Sequence, residues 1–189
     1  MNWLSNFENL KSNLLALSTR NKFGKEIESD SAFIQWKDLT VQIREKKRTV
    51  FLIGNGASAS MASHISADLA KNAQMKTEVF SDLSLITAIA NDLSYEEVFA
   101  EPLRRRMTEH DMLVAISSSG KSPNILRGVE EATHLDGIVI TLSAMNPNNA
   151  LRKQGSLNFY VPAMSYGMAE TCHAAILHYW MDLVVGTFG

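Results

Sequence analysis

The chain is poor in cysteine: Cys172 is the only one in 189 residues. No disulfide can close within it and no cysteine-rich zinc site can be built, so a reducing compartment is the expected setting. Proline is scarce as well, with four in the chain and none in the first 48 residues, a stretch that reads as helical. No apolar run approaches the ~20 residues of a membrane span. The opening MNWLSNFENLKSN places acidic and polar residues where a secretion signal would be unbrokenly apolar. Neither sign of charge dominates, since 18 Lys and Arg stand against 20 Asp and Glu for a net charge of −2. That removes the global electrostatic case for nucleic acid. The expectation is a cytoplasmic protein with neither a membrane nor a nucleic acid as partner. A composition 46% apolar and 20% charged is that of a globular chain, long enough to bury one sizeable core.

In the first 48 residues Phe33, Trp36, Leu39, Val41 and Ile43 recur at roughly helical spacing before the basic run Arg44 to Arg48. That run reads as a solvated helix end, where cations suit the helix dipole. From Thr49 the pattern changes. TVFLIG (49–54), TEVFS (77–81), MLVAIS (112–117), GIVITLS (137–143) and LNFYVP (157–162) are short and β-rich, most of them continuously apolar. Helical stretches separate them, over 58–72, 83–90, 94–107 and 123–133, and a final helix runs over 168–185. Continuously apolar strands alternating with helices predict about five parallel strands covered on both faces. AMNPNNALRKQG (144–155) is the clearest loop.

Ligands of such sheets bind beyond the carboxyl ends of the strands, where two loops fall. Gly54-Asn55-Gly56-Ala57-Ser58 follows the first core strand. A dinucleotide fingerprint would need glycine at 59, where Ala59 stands. The second loop, Ser117-Ser118-Ser119-Gly120-Lys121-Ser122-Pro123, offers hydroxyls and backbone N–H groups at a helix start, equipment for a phosphate. It falls short of a P-loop because Ala115 occupies the position of that motif's first glycine.

Two helices carry a second constellation. His64 and Asp68 are four apart and share a helix face. Glu170 and His178 are eight apart, on one broad face of the final helix. Two histidines, an aspartate and a glutamate suit zinc, or acid–base transfer of a proton between carbons; spacing alone leaves packed or solvated side chains the commoner explanation. His173 is rotated by roughly 140° from His178 on an ideal helix, a poor co-ligand. Cys172 beside it reads as a small buried residue, and His110 and His134 carry no assigned role.

Together the GNGAS loop, His64 and Asp68, Ala90-Asn91-Asp92, the serine loop and Glu170 with His178 resemble the sugar isomerase (SIS) domain family over nearly the whole chain. The His64/Asp68 and Glu170/His178 set resembles the branch that isomerises sedoheptulose 7-phosphate. The resemblance implies a flavodoxin-like three-layer α/β sandwich with N-terminal helices. It implies a single SIS domain over 1–189, with a helical segment at 1–48 and an α/β core at 49–189. It further implies a homotetramer with active sites at subunit interfaces, a phosphorylated sugar substrate and one zinc ion per subunit. Ser117, Ser118, Ser119 and Ser122 fall where the family holds the sugar phosphate, and Lys121 adds a contact. Asn55, Gly56, Ser58, Asn91 and Asp92 fall at other substrate positions. Asp68 and His178 fall at the catalytic positions, and His64, Asp68, Glu170 and His178 at the metal ligands. The chain departs from the pattern at Asp68 (usually glutamate), Glu170 (usually glutamine), Ala57 (usually glycine), Lys121 (usually asparagine), Asn72 (often basic) and Gly167 (often acidic). The alternatives are a SIS isomerase for another sugar phosphate, or a non-catalytic SIS protein that binds a protein partner or a phosphosugar.

Overall fold

The apolar runs are the interior of the sheet, and their side chains alternate between its two faces. In the computed structural model, which describes residues 2–186, β3 (Thr49–Gly54) and β5 (Met112–Ser117) lie side by side and parallel. Val50 and Leu52 of β3, with Met112, Val114 and Ile116 of β5, face one core. Phe51 and Ile53, with Leu113 and Ala115, face the other. The first core lies under α2 (Ser29–Glu45), α3 (Ala57–Asn72) and α7 (Tyr166–Val185). The second lies under α4 (Leu83–Asp92), α5 (Glu97–Arg106) and α6 (Pro123–His134). The result is the expected three-layer sandwich. Residues 1 and 187–189 of the expected domain lie outside the described residues.

Five strands are parallel: β4 (Lys76–Val79), β3, β5, β6 (Ile138–Ser143) and β7 (Leu157–Tyr160), in that spatial order. The chain leaves β3 for β4 on one side and returns for β5 on the other, so the topological switch point falls between the ends of β3 and β5.

The first 48 residues are not helical throughout. Between α1 (Trp3–Leu15) and α2 a hairpin of β1 (Ser18–Asn21) and β2 (Glu26–Ile27) adds two antiparallel strands beside β7, making seven. Asn21 closes its turn, its side-chain oxygen accepting from Phe23 N at 3.0 Å and Lys25 N at 3.1 Å. Arg152 fastens the hairpin from beneath. It donates to the Ser18 hydroxyl at 2.6 Å and the Pro147 carbonyl at 2.8 Å, and lies 4.0 Å from the Tyr160 ring centroid.

α2 and α7 are joined by the stacked indoles of Trp36 and Trp180, 4.1 Å between centroids. Thr40 links them further, accepting from Trp180 Nε1 at 3.0 Å while donating to the Trp36 carbonyl at 2.7 Å. This packing holds α7 against the face from which α3 also projects.

Candidate active site

At the switch point the backbone closes up tightly. A Cβ on Gly54 would sit 2.6 Å from the Ser58 backbone, so the strand can turn into α3 this sharply only as glycine. Ser58 is thereby buried at the floor of the crevice. In the serine loop Gly120 has φ +62°, and a side chain there would run into Asn149. The Gly120 carbonyl accepts from Leu151 N at 2.9 Å, and Gly120 N donates to the Ser117 carbonyl at 3.0 Å. The 144–155 loop thus braces the serine loop from below.

Between the two loops lies a cavity of about 190 Å³ lined by Asn55, Ser58, Ile116, Ser117, Ser118, Ser119, Ser122, Tyr166 and Glu170. Ser117 and Ser122 touch through their hydroxyls at 3.2 Å. The Ser118 hydroxyl is buried and has no partner among the described residues, which is costly unless a ligand completes it. No lysine or arginine lines the cavity; an anion there would be held by hydroxyls and by the N-terminus of α6, which begins at Pro123.

Farther along the same helices a second group forms. His64 and Asp68 of α3 are 3.4 Å apart at Nε2 and Oδ2. The His178 ring of α7 lies 5.2 Å from that of His64, centroid to centroid. One ligand atom from each of His64, Asp68 and His178 falls within 4.8 Å of the others. Two imidazoles and a carboxylate are a donor set that fits zinc, with room for further ligands. His178 lies more than a hundred positions from His64 and Asp68 in sequence, yet the two packed helices bring all three to one site. Glu170 is outside this group and lies on the cavity wall beside the serines. Two turns of helix, about 12 Å, separate positions 170 and 178.

The remaining sequence-predicted residues are placed less centrally. Asn91 and Asp92, at the end of α4, bond to each other at 2.8 Å and are exposed. Lys121 is exposed, and neither it nor Gly56 lines the cavity. His173 is fully buried, its ring nitrogens without a partner in hydrogen-bond geometry among the described residues. Burial pushes its pKa down to about 4, against a small opposing pull from the Ser143 backbone. Burial also pushes the Cys172 thiol up, away from a reactive thiolate.

Three residues at the site carried no signal in sequence. Tyr166 stands at the cavity mouth, 62% exposed. Asn124, buried in the first turn of α6, pairs with Asn55 at 2.9 Å in both directions. Tyr95 donates to the same Asn55 side-chain oxygen at 3.3 Å.

The sequence profile of the SIS domain matches residues 15–144. A phosphoheptose isomerase of Coxiella burnetii is 32% identical over 160 residues, 80% of each chain. One of Helicobacter pylori is 29% identical over 175 residues, 89% of this chain and 91% of that one. A solved phosphoheptose isomerase from Francisella tularensis superposes with a TM-score of 0.83 at 26% identity, covering 97% of this chain and 98% of the other.

Proposed function

The chain belongs to the SIS domain family, and on that premise we propose that it is a phosphoheptose isomerase, an aldose–ketose isomerase converting sedoheptulose 7-phosphate to D-glycero-D-manno-heptose 7-phosphate. The observation that carries this is the pairing of two stations on α3 and α7. One is a hydroxyl-lined cavity with a serine unpartnered among the described residues. The other, farther along the helices, is a His/Asp/His group. A seven-carbon chain held by its terminal phosphate spans a length comparable to the two helical turns between positions 170 and 178.

Ser117, Ser118, Ser119 and Ser122 hold the phosphate, with Lys121 adding charge from the rim. Binding energy from that remote group positions the reacting carbons. Asn55 and Ser58 bond sugar hydroxyls, Gly56 lets the chain approach, and Asn91 and Asp92 add further contacts to the sugar. Asp68 removes a proton from C1 of the ketose, giving an enediol. His178 moves protons at the oxygens and at C2, where a proton returns to give the aldose. His64, Asp68 and His178 would hold a zinc ion, one per subunit, that would polarise the substrate carbonyl, whereas Glu170, expected as a fourth ligand, sits at the phosphate station.

The protein works as a homotetramer with its sites at subunit interfaces. Large apolar side chains support this, exposed at Leu93, Tyr95, Met164 and Tyr166 and along α1 at Trp3, Leu4 and Phe7. Its phosphorylated substrate and lone cysteine fit the cytoplasm, and no helix among the described residues is long and apolar enough to cross a membrane. The product feeds heptose into glycan precursors.

The test is proton exchange. Sedoheptulose 7-phosphate incubated with metal-replete protein in deuterated water should acquire deuterium at carbon and yield an aldose, followed by NMR. Asp68→Asn and His178→Ala should each lose at least a hundredfold in exchange while keeping the wild-type melting temperature. Full activity in both would overturn the assignment. Exchange on another sugar phosphate only would retain the isomerase and replace the substrate.

A further inference from the structure

Asn124 is nearly fully buried, at 2% exposed, and does not line the cavity. It nonetheless makes the most specific side-chain contact at the switch point. Its amide N–H donates to Asn55 Oδ1 and its Oδ1 accepts from Asn55 Nδ2, both at 2.9 Å. A backbone donor fixes which end of the Asn124 amide is which, and the reciprocal pair passes that orientation to Asn55. Ile125 N donates to Asn124 Oδ1 at 3.0 Å, and the Tyr95 hydroxyl donates to Asn55 Oδ1 at 3.3 Å. The Asn55 amide therefore has one orientation. Its oxygen is occupied twice, one N–H points to Asn124, and the second N–H is left for the cavity that Asn55 lines.

We infer that Asn124 is a positioning residue: through its reciprocal amide pair it locks Asn55 so that a single N–H donor faces the substrate, and it ties the glycine loop after β3 to the helix that carries the serine loop. The contact spans 69 positions in sequence, so the two loops are set relative to each other by this pair rather than by the chain between them. A donor held without freedom strengthens its bond to a substrate oxygen, since its rotational entropy is lost on folding rather than on binding. The proposal rests on the isomerase reading only for its kinetic arm.

Asn124→Asp separates positioning from mere packing. A carboxylate there accepts from Asn55 Nδ2 but faces Asn55 Oδ1 with a second lone pair, whereas the protonated acid donates to it and restores the pair. Tyr95, bonded to Asn55, and the Glu97–Arg127 ion pair between α5 and α6 are the titratable groups nearby on packed elements. The expected result is a kcat/KM about tenfold below wild type at pH 8, with the ratio of variant to wild type climbing as pH falls. In a double-mutant cycle Asn124→Leu should cost about tenfold in the wild-type background and nearly nothing in Asn55→Ala, because the group it acts through is gone. A flat pH ratio, or equal losses in both backgrounds, would overturn the inference.

An arm independent of turnover reads the Asn55 side-chain amide directly in 15N-edited NMR, identified by its loss in Asn55→Ala. Its two proton shifts should lie away from random-coil values in the wild type, move toward random-coil values in Asn124→Asp at pH 8, and return at low pH. If the wild type turns over no heptose phosphate, the isomerase reading fails while this arm still decides on Asn124. An Asn55 amide unchanged by Asn124→Asp at every pH would overturn it.

Discussion

A single hydroxyl bears on the proposed phosphate grip. Ser118 Oγ is buried and has no partner among the described residues, a condition that costs about 1–3 kcal/mol in an empty site. Ser118→Ala should therefore leave the melting temperature unchanged or slightly raised while KM for the sugar phosphate rises about tenfold. A KM unchanged in that variant would remove Ser118 from the phosphate grip. His173 makes the opposite case, a polar group buried for the fold. Its pKa lies near 4 in the folded chain against 6.5 in the unfolded one, so the unfolded chain takes up its proton first as pH drops. The stability it contributes is whole above about 6.5 and is lost progressively toward pH 4, by about 3 kcal/mol in all. Urea unfolding at pH 7 and pH 4.5 should show that loss, and His173→Gln should shrink it. Sequence spacing set His173 apart from His178 correctly, because helical periodicity fixes its direction. It could not show what the ring meets there, which depends on β6 lying across its path.

At the scale of elements, the strands that sequence describes best are those whose every neighbour is apolar. β3 and β5 match their sequence-read limits because their apolar runs stop sharply, one at Gly54-Asn55-Gly56 and the other at the serine loop. The hairpin of β1 and β2 escaped notice for the converse reason. STRNKFGKEI has no β-rich run, and its strand state comes from pairing with β7 and from the Arg152 clamp, both distant in sequence. The same division holds in the site. The serine loop, the glycine turn and the His64/Asp68 pair are local patterns and were legible. Asn124, Tyr95 and Tyr166 are ordinary helix and loop residues until the fold brings Asn55 or the cavity to them. The α5–α6 contact offers a test of how firmly the serine loop is mounted. Glu131 of α6 is buried and receives Arg104 at 2.8 Å and Arg127 at 3.5 Å, while Arg127 also reaches Glu97 at 2.9 Å. The Arg127 hydrogen bond, opposed by desolvation and helped by Arg104, holds the Glu97 carboxyl below the ordinary glutamate range. Glu131→Ala should cost about 2 kcal/mol in denaturant unfolding, below the usual loss for a buried pair because Arg104 and Arg127 keep water and other carboxylates. A loss under half of that would mean that α6 is held by its apolar face alone.

Over the whole molecule, α1 carries the densest run of exposed large apolar residues, at Trp3, Leu4, Phe7 and Leu15, with others spread over the hairpin, α2, α4, α7 and the loops. If copies assemble through α1, Phe7→Glu should shift sedimentation from tetramer toward smaller species and lower isomerase activity with it, while circular dichroism stays unchanged. A sedimentation profile like the wild type's would move the interface elsewhere. The order of the sheet says which kinds of contact remain open to such assembly. Without the hairpin, β7 would end the sheet on an apolar rim of unpaired backbone, the kind of margin that recruits strands from other molecules. The hairpin replaces that rim with a β2 only two residues long. At the opposite rim β4 presents Lys76 and a Glu78 paired with Arg106, charges that discourage strand addition. Both margins of the sheet are thus closed to templated growth, which leaves helix surfaces as the route to a finite assembly and steers a chain with so apolar an interior away from fibres.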